Sequence, residues 1–192
     1  MARIPENQAV FIELDGVIME SAQLDSHGAV PYYTGALQSL CRIDPRRFLL
    51  FVATNREDIA FGRLRERDFR ALCERMLADF QAEGIHLTKI YSCPYHPAGK
   101  ARFRKESVFR KPAPGMFKMA QQEFDLNLGR CWMIGHTTVD VLAASRAGMG
   151  TMVVGTGAGG KDGAYIVEPH FAEPTIVEAV SRLNSFEHAM RC

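Results

Sequence analysis

The chain has 192 residues, enough for one domain with a substantial core. Hydrophobic residues make up 47% and charged residues 23%, the balance of a folded globular protein rather than a disordered one. A formal net charge of +1 supplies no overall field for nucleic acid or a membrane surface, and no apolar run approaches bilayer length. The first residues, Met1-Ala2-Arg3-Ile4-Pro5-Glu6-Asn7, lack the apolar core of a signal peptide. Cys41, Cys73, Cys93, Cys131 and Cys192 are odd in number and form no Cys-x-x-Cys pair, the usage expected of reduced thiols in a cytoplasmic protein.

Strand and helix signals alternate along the chain. A buried strand is predicted over 9–14, a short helix over 34–41 and a second buried strand over 48–53. Residues 65–81 form an amphipathic helix pattern with Phe69, Leu72, Met76, Leu77 and Phe80 on one stripe. A short strand over 87–91 precedes a loop rich in Pro, Gly, Arg and Lys, and then a helix over about 114–124. A strand over 130–134, a helix over 138–147, a strand over 151–154 and a helix near 175–183 complete the series. Apolar strands alternating with helices predict an α/β protein whose mainly parallel sheet is covered on both faces. The chain reads as a single domain over 1–192, with room for a small flap at about 19–33 and none for a large cap.

Four segments carry chemistry. In Val10-Phe11-Ile12-Glu13-Leu14-Asp15-Gly16-Val17-Ile18, Glu13 and Asp15 stand i, i+2, so both project from one face at the end of a strand. Gly16 lets the chain turn away there, at the end of an open sheet where ligands bind. The second strand ends in Ala53-Thr54-Asn55, whose hydroxyl and amide suit a phosphate oxygen or simply cap a turn. The run Arg110-Lys111-Pro112-Ala113-Pro114-Gly115-Met116 closes a basic stretch containing Lys100, Arg102, Arg104 and Lys105. It is expected to be a solvated loop over an anion site rather than a nucleic-acid surface, since the remainder of the chain is not basic. Trp132-Met133-Ile134-Gly135-His136-Thr137-Thr138-Val139-Asp140 places His136 and Asp140 after another strand. A fifth segment, Gly155-Thr156-Gly157-Ala158-Gly159-Gly160-Lys161, matches G-x-G-x-x-G. Asp162 stands where a phosphate loop needs Ser or Thr, so a flexible loop is expected instead.

These four segments, in this order across residues 10–150, resemble the motifs of the haloacid dehalogenase (HAD) superfamily. Cys93-Pro94-Tyr95-His96-Pro97 and the Arg110–Met116 run are similar to those of its D,D-heptose 1,7-bisphosphate phosphatase/histidinol-phosphatase subfamily. The resemblance implies a Rossmann-like three-layer fold. It also implies a nucleophile at Glu13, a general acid/base at Asp15 and a charge-offsetting Lys111. Thr54, Asn55, Arg110 and Lys111 would contact a phosphorylated small molecule. Glu13, Asp15, His136 and Asp140 would hold Mg²⁺. Two positions depart from the pattern: Glu13 replaces the nucleophilic Asp, and His136 replaces an Asp of the Mg²⁺ site. A hard cation prefers oxygen ligands, so a weak or absent Mg²⁺ site is expected. The subfamily's structural zinc is not expected either. In the former zinc loop, about 93–110, Cys93 is a remnant and Tyr95 and Phe109 are expected to pack in its place. The departures favour a catalytically impaired protein that keeps its phosphate pocket. The alternatives are an active metal-dependent phosphatase on a sugar phosphate, and a structural partner of another protein with a vestigial pocket.

Overall fold

The computed structural model describes residues 6–189, with side chains described as far as Phe186. Residues 1–5 and Cys192, used above in reading the N-terminus and the thiols, lie outside the described residues. The elements follow in the order β1 (Gln8–Ile12), α1 (Ala36–Leu40), β2 (Phe48–Asn55), α2 (Glu57–Ala60), α3 (Glu66–Ala82) and β3 (Leu87–Cys93). They continue with α4 (Gly115–Phe124), β4 (Trp132–Gly135), α5 (Thr138–Arg146), β5 (Gly150–Val154), β6 (Phe171–Glu173) and α6 (Ile176–Ala189). The strands form one sheet in the order β3-β2-β1-β4-β5-β6, with every neighbouring pair parallel. This is the doubly wound α/β architecture expected from the alternation of strands and helices.

Strand periodicity divides the core into two layers. Val10 and Ile12 of β1 and Leu50 and Val52 of β2 pack with Leu40 of α1, Leu72, Met76 and Phe80 of α3, and Val180 of α6. Ala9 and Phe11, with Phe51 and Ala53, face the other way, onto Met116, Phe117 and Ala120 of α4 and Ala143 and Ala144 of α5. Phe11 stacks on Phe51 at 4.9 Å between ring centroids and meets Phe117 edge-on at 5.0 Å, both favoured aromatic geometries. Burial on both faces is why these strands read as continuous apolar runs.

Several expectations are corrected. Leu77 is 44% exposed, because the buried stripe of α3 runs through Phe69, Leu72, Met76 and Phe80, and Leu77 lies a helical step of about 100° off Met76. Two short elements, α2 and β6, were not predicted. β2 and β3 run two residues further than expected, pairing Thr54 with Ser92 and Asn55 with Cys93. α6 extends to Ala189. Within 19–33 the chain doubles back on the first turn: Met19 bridges Asp15 and Tyr32, and the Tyr33 N–H donates to the Ile18 carbonyl at 3.0 Å. Among the described residues no helix is long and apolar enough to cross a membrane.

Candidate active site

β1, β2 and β4 end side by side, and the residues just beyond their C-terminal ends line one cavity of about 360 Å³. Glu13 continues the line of β1 by one residue, its N–H donating to the Ile134 carbonyl at 3.1 Å. The chain then turns tightly, with Ile18 and Met19 both donating to the Leu14 carbonyl, at 3.0 and 3.2 Å. Gly16 has φ of 71°, the left-handed conformation that glycine adopts without strain.

Lys111 organises the floor. Its side chain is fully buried, and Nζ donates to Glu13 Oε2 at 2.5 Å, to the Ala53 carbonyl at 2.8 Å and to Asp140 Oδ1. All three ammonium donors are used. Burial alone would lower the Lys111 pKa, but the carboxylates of Asp140 and Glu13 outweigh it and raise the group above its ordinary value. Asp140 mirrors this: burial pushes its carboxyl up, and Lys111 pulls it further down, below the usual range. Asn55 fixes the lysine from behind. Its Nδ2 donates to the Lys111 carbonyl at 2.9 Å and its Oδ1 accepts from the Lys111 N–H at 3.0 Å. Asn55 thus holds Lys111 in place, and it also lines the cavity.

Asp140 and His136 are set by the start of α5. Thr137 caps that helix and forms a reciprocal capping box with Asp140. Asp140 Oδ2 accepts from the His136 and Thr137 N–H groups, both at 3.1 Å, and from Thr137 Oγ1 at 2.8 Å. The His136 ring is held between two backbones: a Cβ added at Gly157 would lie 2.3 Å from Nδ1, and one at Gly16 2.9 Å away. Nδ1 accepts the Ala158 N–H at 3.0 Å, which places the proton of the neutral ring on Nε2. The loop expected to be flexible is therefore tied down. Thr156 Oγ1 donates to the Gly16 carbonyl at 2.7 Å. Asp162 accepts from the Thr138 N–H and hydroxyl at 2.6 and 2.7 Å.

Arg56 is the site residue that sequence reasoning missed. It lies between β2 and α2, is buried, and its Nη2 donates to Asp15 Oδ2. Its Nε donates to the Asn55 carbonyl at 2.9 Å. Burial would lower its pKa, but the nearby Asp15 and Glu13 carboxylates raise it. The available signal was the charged triplet Arg56-Glu57-Asp58, directly after a strand end. Three buried polar atoms here have no protein partner: Asp15 Oδ1, Arg56 Nη1 and Arg110 Nε. All three residues line the cavity. Unsatisfied buried donors and acceptors at one concave site are the mark of a place built for a polar ligand.

Thr54 departs from expectation. It is fully buried, does not line the cavity, and its hydroxyl reaches only the Asn55 carbonyl, at 3.4 Å. Of the basic stretch, Arg110 and Lys111 reach the cavity. Arg102 pairs with Glu66, and Lys105 lies over the Tyr95 ring at 3.7 Å from its centroid. Cys93 is buried. Tyr95 packs on Phe103 and Lys105, rather than pairing with Phe109, which packs on the α4 side of the core. His96 lies against Phe61, with Nδ1 accepting the Ala98 N–H at 3.0 Å.

The donor set does not fit Mg²⁺ in this arrangement. The ion wants about six oxygens in octahedral array. Glu13 Oε1 accepts the Leu14 N–H at 2.8 Å and Oε2 binds Lys111. Asp140 is engaged at both oxygens. His136 presents an N–H at Nε2 rather than a lone pair. Asp15 Oδ1 is the one of these carboxylate oxygens left without a partner, and it is buried. Among the described residues no group of three His, Cys, Asp or Glu side chains is disposed around a common point.

The sheet order, with acids beyond the ends of β1 and β4 and a buried lysine joining them, has the HAD architecture expected from the sequence. A family model described as HAD-hydrolase-like matches residues 108–179. The D-glycero-alpha-D-manno-heptose-1,7-bisphosphate 7-phosphatase of Burkholderia mallei is 35% identical over 151 residues, covering 78% of this chain and 80% of that protein. The D-glycero-beta-D-manno-heptose-1,7-bisphosphate 7-phosphatase of Vibrio cholerae is 30% identical over 148 residues, covering 76% and 80%. In three dimensions the chain matches the D,D-heptose 1,7-bisphosphate phosphatase of B. bronchiseptica, crystallised with magnesium and phosphate. The TM-score is 0.78 over 94% of this chain and 99% of that one, at 23% identity. The chain belongs to the HAD superfamily, in the family of the heptose-1,7-bisphosphate phosphatases.

Proposed function

We propose that this chain binds a phosphorylated sugar in the cavity and hydrolyses its phosphoric monoester, at a rate limited by Glu13 and His136. The observation that carries the proposal is the buried Lys111 ammonium joining Glu13 to Asp140 beneath a cavity edged by Asp15, Arg56 and Arg110. Kinship supports the reaction class, since relatives 35% and 30% identical are named as phosphatases of a sugar bisphosphate. Arg56 and Arg110 line the cavity, each with a buried donor that has no protein partner, and guanidinium groups suit phosphoryl oxygens. Glu13 is the carboxylate that would attack phosphorus, forming an acyl phosphate and releasing the sugar alkoxide, which takes a proton from solvent. Asp15 Oδ1 would then accept a proton from the water that cleaves the acyl phosphate, regenerating Glu13 and releasing phosphate.

Glu13 and His136 favour a second reading, in which the ester is bound and not turned over. The two readings part on phosphate release from p-nitrophenyl phosphate and a panel of sugar phosphates. Release by the wild-type protein that disappears in Asp15→Asn is the expected result. Ester binding with release no faster than in Asp15→Asn establishes the second reading. Neither binding nor release, on folded protein, defeats both.

A further inference from the structure

We propose that His136 binds the ligand directly: its neutral ring donates Nε2–H to an oxygen of the phosphoryl group, and the 155–161 loop holds the ring in the form that can do so. This contact rests on the phosphate-ester reading above. One edge of the imidazole is covered by two backbones. A Cβ added at Gly16 would lie 2.9 to 3.0 Å from Cγ, Nδ1 and Cε1, and one at Gly157 would lie 2.3 to 2.8 Å from Nδ1, Cγ and Cβ. Nδ1 accepts the Ala158 N–H at 3.0 Å, which puts the ring's proton on Nε2. Nε2 and Cδ2 form the remaining edge. Nε2 has no hydrogen-bond partner among the described residues and is not buried, and His136 lines the cavity.

The covering loop is itself fixed. The Thr156 carbonyl accepts the Tyr33 hydroxyl at 3.1 Å, and the Gly160 N–H donates to the His136 carbonyl at 2.9 Å. The backbone at Gly157 is not left-handed, so the nearness of the ring, and not the turn, leaves no room for a side chain there. A donor open to a ligand is scarce in this cavity. All three Lys111 donors are used, and the unpartnered nitrogens of Arg56 and Arg110 are buried. Arg63 lines the cavity from an exposed position, its guanidinium over the Phe61 ring at 4.9 Å, and supplies charge on a long side chain. His136 supplies direction, a rigid ring with its N–H at a fixed place just past β4. A hydrogen bond to a phosphoryl oxygen is charge-assisted, one of the stronger kinds. Because the donor set does not suit Mg²⁺, position 136 meets the ligand itself rather than through a cation.

Calorimetric titration with fructose 6-phosphate at pH 8, with EDTA present, tests the contact on the wild type, His136→Phe, His136→Gln and Gly157→Ala. His136→Phe removes the donor and is expected to weaken binding about 10-fold or more, the effect of losing a hydrogen bond to a charged group. Glutamine carries an amide N–H close to the Nε2 position and should recover most of that loss. Gly157 does not line the cavity, yet alanine there displaces the ring and should also weaken binding. NMR of the imidazole nitrogens, assigned through His136→Gln, should show the proton on Nε2 in the free protein and a shift of that nitrogen when the ester is added. Equal affinity of the wild type and folded His136→Phe overturns the proposal, as does a proton on Nδ1 or an Nε2 that does not respond. If His136→Phe does not fold, the NMR result decides the contact by the same criteria. Wild-type affinity in Gly157→Ala overturns the role of the loop. A folded wild type that binds no ester defeats the phosphate-ester reading itself, whereas an ester that binds irrespective of His136 defeats this contact alone.

Discussion

Lys111→Met is expected to destabilise the protein by about 3–5 kcal/mol at neutral pH, the cost of stripping one partner from a buried ion pair. Among the described residues the ammonium is the only cation bonded to both Glu13 and Asp140, which are themselves buried. Its loss leaves two carboxylates in a poorly solvated floor. The pH dependence has a definite sign. In the wild type the Asp140 carboxyl is depressed, so its stabilising contribution is present above the ordinary carboxylate pKa of about 3.9. That contribution is lost as pH falls through the lower, folded-state value. In Lys111→Met the ammonium that depresses it is gone, and protonation of the stranded carboxylates relieves the defect. Urea unfolding at pH 7.5 and pH 5 checks this: the deficit of the variant should be large at the higher pH and smaller at the lower. A deficit under about 1 kcal/mol at pH 7.5 would mean that Lys111 is not the keystone of the site.

The double variant Glu13→Asp/His136→Asp is expected to release phosphate from sugar phosphates at least about 10²-fold faster than the wild type in the presence of Mg²⁺. Glu13 carries one methylene more than the aspartate of the family motif, and a misplacement of about 1 Å at the reacting atoms costs on the order of 10²-fold. His136 separately removes an oxygen donor and offers an N–H in its place. With Asp at 136, a carboxylate stands beside Asp15 and Asp140, and the oxygen-rich surroundings that Mg²⁺ requires are restored. Thermal unfolding supplies the second readout: millimolar Mg²⁺ should raise the Tm of the double variant and leave that of the wild type unchanged. Equal release rates, with both proteins folded, would show that positions 13 and 136 do not limit turnover.

The sheet and most of the site geometry were legible because they follow from a period of two and from strand ends. Phe11, Glu13 and Asp15 share one parity, and Phe51, Ala53 and Asn55 share the parity that faces α4. The same rule accounts for Thr54. It shares the parity of Leu50 and Val52, whose side chains pack into the opposite layer, so its hydroxyl lies away from the Lys111 side. Motif order pointed to Thr54 and Asn55 together, and strand parity separates the two. Arg56 was illegible for a different reason. A charged residue at the entrance to a four-residue helix ordinarily faces water, and it is the tertiary positions of Asp15 and the Phe69 ring that hold it inward. The docking of the 155–161 loop was equally hidden. Its glycines read as freedom, whereas Gly157 is a close approach that makes room for the His136 ring. β6 has three residues and lies beyond a long irregular connection, so no periodicity could announce it.

Whether this cavity is a phosphate-ester site is tested most directly by calorimetric titration of the wild-type protein with fructose 6-phosphate and, separately, with fructose. One-to-one binding of the phosphate ester and none of the parent sugar is expected, because Arg56 and Arg110 line the cavity that receives the phosphoryl group. Failure of the ester to bind folded protein, or equal binding of ester and sugar, would contradict it.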